Sequence, residues 1–412
     1  MKVLLVNTFE KAGGAAIAAN RLMQALCKKG VDARMLVREK HTANPLVTPL
    51  GAGLGPRCNF LGERLSIWPH VGFSRKRLFT VDRANMGIDI TTLPQFREAD
   101  IINLHWINQG FLSLKGIQKI IDSGKPVVWT LHDMWPFTAI CHHAGECTGY
   151  QHSCGRCPLI GSSCEKDLSR RVWQQKAFLA HSPLSVVTVS HWLEQRAKAS
   201  SLFGNLSVTV IPNGMDTTLF SAGDRVAARK RFSLPFDKKI LLMGAAKLND
   251  PLKGFSLLRK ALELLDEKER YLLLLFGNVK GDPSFLYNMP VETRYLGPVA
   301  TSQLPALYAA CDLTVMPSLY ETFGQTLAES MACERPVVTF DNSGQTDVVD
   351  HRVNGYLAHA GDVADFARGI TWILNGAPYA QLCSKGREKA VSFFSQEVVA
   401  DRYIALYQSL LK

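Results

Sequence analysis

The sequence predicts an α/β protein with two doubly wound parallel sheets. Short apolar runs alternate with segments of helical periodicity from residue 2 to 211, and the alternation starts again at 240. A rigid turn at 212–216 and a charged stretch at 221–239 separate the two blocks. The length of 412 residues also suits two domains of ordinary size. We expect domains over 1–215 and 216–394 and a closing helix over 395–412. Between the domains we expect a cleft lined by the carboxyl ends of strands.

Strands are predicted where apolar runs have strand length, and helices where apolar residues recur three or four positions apart. In the first block this gives strands at 2–6, 33–37, 100–105, 126–131, 185–189 and 208–211, and helices at 15–30, 112–122, 165–180 and 190–203. In the second block it gives strands at 240–243, 271–276, 313–316 and 336–340, and helices at 255–265, 302–310, near 324, at 363–375 and at 396–411. Ser190 is a predicted N-cap.

Charge and apolar content narrow the class of protein. Lys and Arg number 47 against 36 Asp and Glu, so the net charge of +11 suits an anionic partner: a phosphorylated small molecule, a membrane surface or a nucleic acid. The first apolar run is only four residues long and no small-residue cleavage site follows it, which favours a strand over a secretory signal. No apolar run approaches the roughly 18 residues of a membrane span. We therefore expect a cytoplasmic protein.

Gly13 and Gly14 follow the first strand and precede the first helix. A helix that begins after such a turn can hold a phosphate on its first backbone N–H groups. The full dinucleotide fingerprint is absent, so a tight turn without a ligand is the alternative.

Residues 42–98 form an irregular segment that mixes basic and apolar side chains. Two interpretations stay open: a surface that lies on an anionic membrane, and a helical hairpin that covers the domain. The residues concerned are Leu54, Phe60, Leu61, Leu65, Trp68 and Phe73, with Arg57, Arg64, Arg75, Lys76 and Arg77.

His132 and Asp133 come directly after the buried-looking strand at 126–131. Because ligands of open α/β sheets gather at the carboxyl ends of strands, both side chains are candidates for a binding cleft. The alternative is a histidine that only caps the next element.

A cysteine-rich insertion spans 141–164 and holds five of the ten cysteines. Cys154 and Cys157 form a Cys-x-x-Cys knuckle, and with Cys141 and Cys147 they could supply four thiolates to a structural Zn²⁺. Such a site has no open position, so the metal would brace a loop and take no part in catalysis. Reduced thiols without metal, and redox or disulfide chemistry, are the alternatives.

The stretch 317–332 places Glu321 before a helix start near Gly324 and Glu329 within that helix. The two glutamates are eight positions apart, so on one helix their backbones would be about 12 Å apart. That exceeds the roughly 9.5 Å limit for a glycosidase carboxylate pair, which excludes this interpretation.

A diphosphate site explains the stretch better. Backbone N–H groups at Gly324, Gln325 and Thr326 can hold a diphosphate, while Lys247 and Lys253 neutralise its charge. The two glutamates then suit neutral hydroxyls, Glu329 a ribose diol and Glu321 a sugar hydroxyl. This pattern predicts a nucleotide diphosphate sugar as ligand, against the alternative of a plain strand-to-helix turn with solvated glutamates.

Several short motifs together resemble the retaining family-four glycosyltransferases of the GT-B fold, which implies two Rossmann-like domains facing across a cleft. Nearly the whole chain is covered by the resemblance. The motifs are Glu321-x(7)-Glu329 with Phe323-Gly324 inside it, Gly13-Gly14-Ala15, the turn at 212–216, Lys253-Gly254 and Gly297-Pro298-Val299. The sequence 129–136, containing His-Asp-Met-Trp-Pro, together with the cysteine segment resembles a subgroup common in bacterial polysaccharide gene clusters.

The resemblance also implies roles for individual residues. The carboxyl-terminal domain would bind the donor: Glu329 the ribose, Val299 the base through its main chain, and Lys247 and Lys253 the diphosphate. Glu321 and the backbone of Phe323, Gly324, Gln325 and Thr326 would hold sugar and diphosphate. From the amino-terminal domain, Gly14 would approach the diphosphate and His132 would face the transferred sugar. The family commonly has Arg where Lys247 stands, and Lys lacks the bidentate fork of Arg.

The resemblance implies a retaining hexosyltransferase that needs no catalytic metal and no protein nucleophile, acting on a glycan or lipid-linked glycan acceptor. It also implies that the last helix packs back on the first domain. A position at the inner face of the cell membrane fits such an acceptor. The alternatives are a GT-B sugar-nucleotide epimerase and, from another class, a zinc-stabilised nucleic-acid-binding protein. Against nucleic acid, the basic residues are scattered and no reading helix is recognisable.

Overall fold

The computed structural model describes residues 1–50, 54–75 and 77–412. Lys76 of the basic segment lies outside the described residues. Two compact units are present. Met1–Ile211 and Ala400–Lys412 form the N-terminal unit, and Pro212–Val399 form the C-terminal unit. None of the helices in the described part of the chain has both the length and the apolar character needed to cross a bilayer.

A seven-stranded parallel sheet forms the centre of the N-terminal unit, in the order β3-β2-β1-β4-β5-β6-β7. Its strands are β1 Lys2–Phe9, β2 Asp32–Glu39, β3 Val47–Pro49, β4 Ile101–Leu104, β5 Val127–Leu131, β6 Leu184–Thr188 and β7 Ser207–Val210. Its helices are α1 Gly14–Lys28, α2 Leu54–Ile67, α3 Pro94–Glu98, α4 Leu114–Asp122, α5 Leu168–Lys176 and α6 His191–Lys198. Every residue of β4 and β5 is buried, so both faces of the sheet are covered at its centre.

The C-terminal unit has a six-stranded parallel sheet in the order β10-β9-β8-β11-β12-β13. Its strands are β8 Lys239–Lys247, β9 Tyr271–Asn278, β10 Glu292–Tyr295, β11 Leu313–Met316, β12 Val337–Phe340 and β13 Gly355–Ala358. Its helices are α7 Arg225–Arg231, α8 Phe255–Glu263, α9 Leu304–Ala310, α10 Gln325–Ala332, α11 Gln345–Val348, α12 Val363–Thr371 and α13 Tyr379–Phe394, and α14 Gln396–Leu410 ends the chain. The two parallel α/β sheets confirm the predicted fold class.

Several elements differ from the prediction, and for two of them the contacts show why. The charged stretch 221–239 contains α7, which Asp224 caps by accepting the N–H groups of Val226 and Ala227. Arg229 of α7 is buried and donates to Asp312 at 2.7 Å, so its charge is neutralised inside the unit. The other segment is the predicted helix at 165–180, which begins at Leu168 because the Asp167 side chain accepts the N–H of Arg170.

The end of α14 belongs to the N-terminal unit. Asn103 of β4 donates to the hydroxyl of Tyr407 at 2.7 Å, and the hydroxyls of Thr130 and Tyr403 lie 3.1 Å apart. Lys29 pairs with Asp401 at 2.8 Å on the surface. The two tyrosines are buried against the central strands, and their hydroxyl groups keep hydrogen-bond partners there.

Candidate functional site

The predicted donor residues of the C-terminal unit lie near one edge of its sheet. Because β8, β11 and β12 are parallel neighbours, the segments that follow them meet at the same edge. Lys247 is the exposed last residue of β8, and the loop 317–324 follows β11. The segment 342–345 follows β12. Residues far apart in the sequence thus come together where parallel sheets bind ligands.

Gly324 is the N-cap of α10, so the helix begins near this residue as expected. Its φ of 98° lies in the left-handed region, and its carbonyl accepts the N–H groups of Leu327 and Ala328 at 3.0 and 3.3 Å. Glycine adopts this conformation without the strain of a Cβ atom. The helix therefore starts at Gln325, and its first backbone N–H groups point away from the helix body, the arrangement that binds anions.

The loop before α10 is braced by the segment after β12, which the sequence did not identify. Gly344 N–H donates to the carbonyl of Glu321 at 2.7 Å, and the N–H of Glu321 donates to Ser343 Oγ at 3.0 Å. A Cβ atom on Gly344 would collide with the carbonyl of Thr322. Gln345 donates to the carbonyl of Ser318 at 3.1 Å. These contacts fix the backbone on both sides of the Glu321 side chain.

Lys253 and Glu321 form an ion pair, with Nζ 2.7 Å from Oε1. Burial opposes the charge on the lysine, but the neighbouring carboxylate overrides it and holds the pKa of Lys253 above its ordinary value. Gly254 makes this approach possible, since it has a φ of 68° and a Cβ atom there would collide with the carbonyl of Pro317. Two of the predicted site residues are thus in direct contact.

Glu329 is buried within α10 and accepts a hydrogen bond from the hydroxyl of Tyr308 at 3.1 Å. Tyr308 is a buried residue of α9, and no sequence pattern indicated its polar role because it stands among apolar residues. The pair fixes one carboxylate oxygen of Glu329 from the side of α9.

Phe323 and Val299 complete the predicted set in this unit. The Phe323 ring is buried and meets the ring of Phe394 edge to face, with centroids 5.2 Å apart, so its side chain anchors the loop. Val299 lies in the segment between β10 and α9. Nearby, Gly297 has a φ of 71° and its carbonyl accepts the N–H of Gly277 at 2.9 Å, which ties this segment to β9.

In the N-terminal unit, Gly13 and Gly14 form the turn into α1. Gly13 has a φ of 88°, which favours glycine. Gly14 is the first helical residue and has no such backbone requirement. A Cβ atom on Gly14 would meet nothing within 4 Å. Packing within the chain therefore gives no reason for glycine at this position.

His132 is paired with a second histidine that the sequence reading missed. Its Nε2 lies 2.9 Å from Nδ1 of His105, and the two rings stack with centroids 5.2 Å apart. Burial lowers the pKa of His132 to about 4 and that of His105 well below its ordinary value. Both rings are therefore neutral near pH 7, and one N–H is shared between them. His105 follows β4 just as His132 follows β5, so their strand positions were the available signal.

Asp133 is held by three donors. Its Oδ2 accepts from Trp106 Nε1 at 2.8 Å and lies 2.7 Å from Nδ1 of His142, while Oδ1 accepts the N–H of Trp135 at 2.9 Å. Burial opposes ionisation of this carboxyl, but contact with His142 and these hydrogen bonds keep the pKa of Asp133 below its ordinary value.

The same His142 ring reaches a second buried carboxylate, since its Nε2 lies 2.7 Å from Oδ2 of Asp82. Asp82 also pairs with Arg64 of α2. His142 belongs to the cysteine-rich insertion, so this histidine links the insertion to the Asp133 loop. Its role depends on how the insertion folds, which no motif in the sequence indicated.

The cysteines of the insertion are not in disulfides. Burial raises the pKa of Cys141 to about 12 and that of Cys154 to about 11, and it also raises that of Cys157, so these thiols keep their protons. Among the described residues, no group of three or more His, Cys, Asp or Glu side chains is arranged to hold a metal ion. The structural zinc site of Cys141, Cys147, Cys154 and Cys157 therefore stays a prediction.

Comparison with known families matches each block of the chain. Residues 12–219 match the family described as Glycosyltransferase Family 4. Residues 226–390 match the family described as Glycosyl transferases group 1. The two matches together span most of both units.

Individual proteins are similar as well. The D-inositol 3-phosphate glycosyltransferase of Mycolicibacterium smegmatis is 31% identical over 412 residues, which cover 96% of this chain and 86% of that protein. The protein of the same name from Stackebrandtia nassauensis is 31% identical over 215 residues, 48% of each chain. The chain thus spans about half the length of the latter relative and of similar ones.

A solved structure shows the same fold. Anabaena Alr3699/HepE in complex with UDP superposes with a TM-score of 0.68 at 19% identity, covering 99% of this chain and 100% of that one. A relative similar over nearly the whole chain and a family match over half of it agree with the two parallel sheets. The chain therefore belongs to glycosyltransferase family 4 and has the two Rossmann-like parallel-sheet domains of the GT-B fold.

Proposed function

We propose that the protein transfers a hexose from a nucleotide diphosphate sugar to a glycan or lipid-linked glycan, with retention of anomeric configuration, in surface polysaccharide biosynthesis. The observation that carries the proposal is the Lys253–Glu321 ion pair, 2.7 Å long, on the loops that meet before α10. A lysine suits phosphate and a carboxylate suits hydroxyl groups, and this pair is close to a helix start. Family membership and the UDP-bound structure of a protein with the same fold support a nucleotide sugar as donor.

Donor recognition is assigned to the C-terminal unit. The N–H groups of Gln325 and Thr326 would bind the diphosphate, and the charges of Lys247 and Lys253 would neutralise it. Gly324 and the backbone of Phe323 would allow its close approach. Lys247 is exposed at the end of β8 and would reach a phosphate as a point charge.

The remaining donor contacts are assigned to two carboxylates and to three backbone positions. Glu329, held by Tyr308, would accept hydrogen bonds from the ribose diol, and Glu321 would accept them from the transferred sugar. Val299 would present backbone groups to the base. Gly14 would allow close approach of a donor phosphate, since the chain itself leaves the space beside it open. Gly13 supplies the turn.

His132 is assigned to the transferred sugar. The proposed contact is a hydrogen bond between its imidazole ring and a hydroxyl of that sugar. As a neutral ring it would act as a hydrogen-bond partner and not as a cation. Asp133, fixed by Trp106 and His142, would hold the backbone that carries His132.

Transfer would proceed by front-face displacement. The bond between the anomeric carbon and the donor phosphate oxygen breaks, and a bond from the acceptor oxygen forms on the same face through an oxocarbenium-like state. The proton of the acceptor hydroxyl passes to the leaving phosphate oxygen, so no protein nucleophile is required. The protein's part is to orient both substrates and to stabilise the leaving diphosphate with its cations and helix N–H groups.

The experiment is a product assay with purified full-length protein and a panel of UDP, GDP and ADP sugars and glycan acceptors. We expect release of the nucleoside diphosphate only with acceptor present, and a product with the donor's anomeric configuration by NMR. Glu321→Ala should abolish transfer, while Lys260→Ala on the exposed side of α8 should not. If none of the donors in the panel released its nucleoside diphosphate, glycosyl transfer would be refuted. A product with inverted configuration would refute retention. Isomerised sugar formed without acceptor would favour an epimerase.

A further inference from the structure

Residues 57–79 of the N-terminal unit expose large apolar side chains, and we call this region the α2 surface. Leu61, Leu65, Phe73 and Phe79 are between 54% and 68% exposed. Leu61 and Leu65 are four positions apart on α2 and share one face of the helix. Four such side chains within nineteen residues differ from the scattered apolar residues of an ordinary surface.

The inner face of α2 is fixed, so the outer face cannot turn inward. Glu63 and Arg64 are both buried. Arg64 donates to the carbonyl of Leu78 at 2.8 Å and pairs with Asp82, and Glu63 Oε1 accepts the N–H of Ala84 at 2.6 Å. These buried polar contacts set the rotation of the helix about its axis. The exposure of Leu61 and Leu65 is therefore a fixed property of the fold.

Phe73 is held outward by its backbone. Gly72 and Phe73 have φ values of 63° and 56°, and the left-handed region strains a residue that carries a side chain. The N–H of Phe73 donates to the carbonyl of Trp68 at 3.0 Å, which stabilises this turn. The ring remains exposed, so its burial within the chain does not offset the strain. The turn therefore keeps the Phe73 ring on the surface.

The charges on the α2 surface have one sign. Arg57, Arg75 and Arg77 are exposed. Between residues 54 and 81 the sequence has a single acidic residue, Glu63, and it is buried. Apolar side chains with neighbouring arginines, and no exposed carboxylate among the described residues of this stretch, match the surface of an anionic lipid bilayer, where acyl chains lie below negative headgroups.

We propose that the α2 surface docks the protein on an anionic lipid bilayer. The side chains of Leu61, Leu65, Phe73 and Phe79 enter the boundary between headgroups and acyl chains, and the arginines contact the headgroup phosphates. This inference extends the proposed function to the acceptor, because a lipid-linked glycan would be presented at the surface of the bilayer. It rests on that function only for the lipid-linked acceptor and can be tested without donor or acceptor.

The test is cosedimentation of the full-length protein with vesicles of phosphatidylcholine alone or mixed with phosphatidylglycerol. We expect binding to the anionic vesicles at low salt, little binding to the neutral ones, and weakening at high salt because salt screens the arginines. Arg75→Glu should lower the partition coefficient by roughly fivefold or more, the effect of one cation near an anionic surface. The charge-matched control is Lys260→Glu on α8, which should bind as wild type does.

The apolar contribution is tested separately. Leu61→Ser with Leu65→Ser, and Phe73→Ser alone, should each reduce binding several-fold even at low salt. Leu264→Ser and Phe236→Ser are matched controls, since both residues are similarly exposed in the C-terminal unit. Exposed positions leave the fold intact, which thermal denaturation checks. The inference would be overturned if the protein did not bind anionic vesicles, or if it bound neutral vesicles equally well. It would also be overturned if the control variants lost as much binding as the α2 variants. Transfer to a soluble acceptor would persist in the α2 variants if the proposed function holds.

Discussion

The Nζ atom of Lys253 lies 2.7 Å from Oε1 of Glu321, although the two residues are separated by 68 positions in the sequence. Gly254 and Gly344 make the contact possible, because both lie where a side chain would collide with the backbone of the 317–324 loop. In the proposed function the two side chains hold different parts of one donor. Without donor they neutralise each other, so the cation is in place before the diphosphate arrives.

Lys253 and Glu321 are expected to affect different steps. Lys253→Met should weaken binding of UDP or GDP by roughly 10- to 100-fold, because it removes a charged hydrogen bond to phosphate. Glu321→Gln removes the competing carboxylate and should leave nucleotide binding at least as tight as in wild type. Its transfer rate should fall roughly 100-fold or more, because sugar orientation is lost. Calorimetric titration and initial rates measure the two effects, and weaker nucleotide binding by Glu321→Gln would contradict the assignment.

Glu329 should matter for nucleotide binding itself. Glu329→Gln keeps an acceptor for the Tyr308 hydroxyl but removes the charge that strengthens hydrogen bonds to a ribose diol. We expect roughly tenfold weaker binding of the nucleoside diphosphate, and little change in binding of inorganic diphosphate. Tyr308→Phe is the control, because it removes the hydrogen bond that supports Glu329 and leaves the carboxylate in place. It should lower the free energy of unfolding by about 1 kcal/mol. Equal weakening for ribose-containing and ribose-free ligands would show that Glu329 does not hold the ribose.

Much of the fold was predictable because the central strands are buried on both faces and read as continuous apolar runs. The run 313–316 coincides with β11, and 271–276 lies within β9. Helix α7 was missed because its residues are mostly basic. What makes it a helix of the fold is the pairing of Arg229 with Asp312, a contact across 83 positions that no local pattern reveals.

The sequence indicated candidate site residues but not how they are arranged. The end of a strand indicated His132, since ligands gather there in parallel sheets, and the helix start near Gly324 indicated Lys253 and Glu321 as parts of a diphosphate-sugar site. Their partners depend on loop conformations: His105 on the neighbouring strand end, and His142 on the fold of the cysteine-rich insertion. Loops take their shape from tertiary contacts, and these follow only from the folded chain.

Asp312 is expected to be a main contributor to the stability of the C-terminal unit. It accepts from Arg229 at 2.7 Å, also pairs with Arg225, and accepts the N–H of Ile240 at 2.7 Å. Asp312→Asn would leave the buried guanidinium of Arg229 without its counter-charge, at a cost of roughly 3–5 kcal/mol. Urea denaturation measures the loss. Asp237→Asn is a control in the same unit, and losses of equal size in both variants would contradict the explanation.

His142 should support transfer through Asp133. In His142→Ala, Asp133 loses one of its three donors and Asp82 loses a bond, so the loop that carries His132 should be less ordered. We expect a roughly tenfold or larger fall in kcat. Nucleotide binding should be unchanged, because Lys253 and Glu329 belong to the other unit. Added imidazole should restore part of the rate by filling the vacated space. If imidazole did not restore activity and the nucleotide were also bound more weakly, a general loss of folding would be the better explanation.

His132 should make stability depend on pH in the acid range. Its pKa in the folded protein is about 4, against an ordinary value of 6.5, so between these values the unfolded chain binds a proton that the folded chain does not. The free energy of unfolding should therefore fall as the pH drops from 6.5 towards 4, by up to about 3 kcal/mol from this residue. Urea denaturation of His132→Gln across this range should show a shallower decline of the free energy of unfolding than wild type.

His359 gives a control of opposite sign, because its hydrogen bond to Asp365 raises its pKa and its stabilisation is lost as the pH rises. His359→Gln should therefore lose stability relative to wild type at acid pH. If the His132→Gln and wild-type curves ran parallel, the histidine pair would not be held neutral.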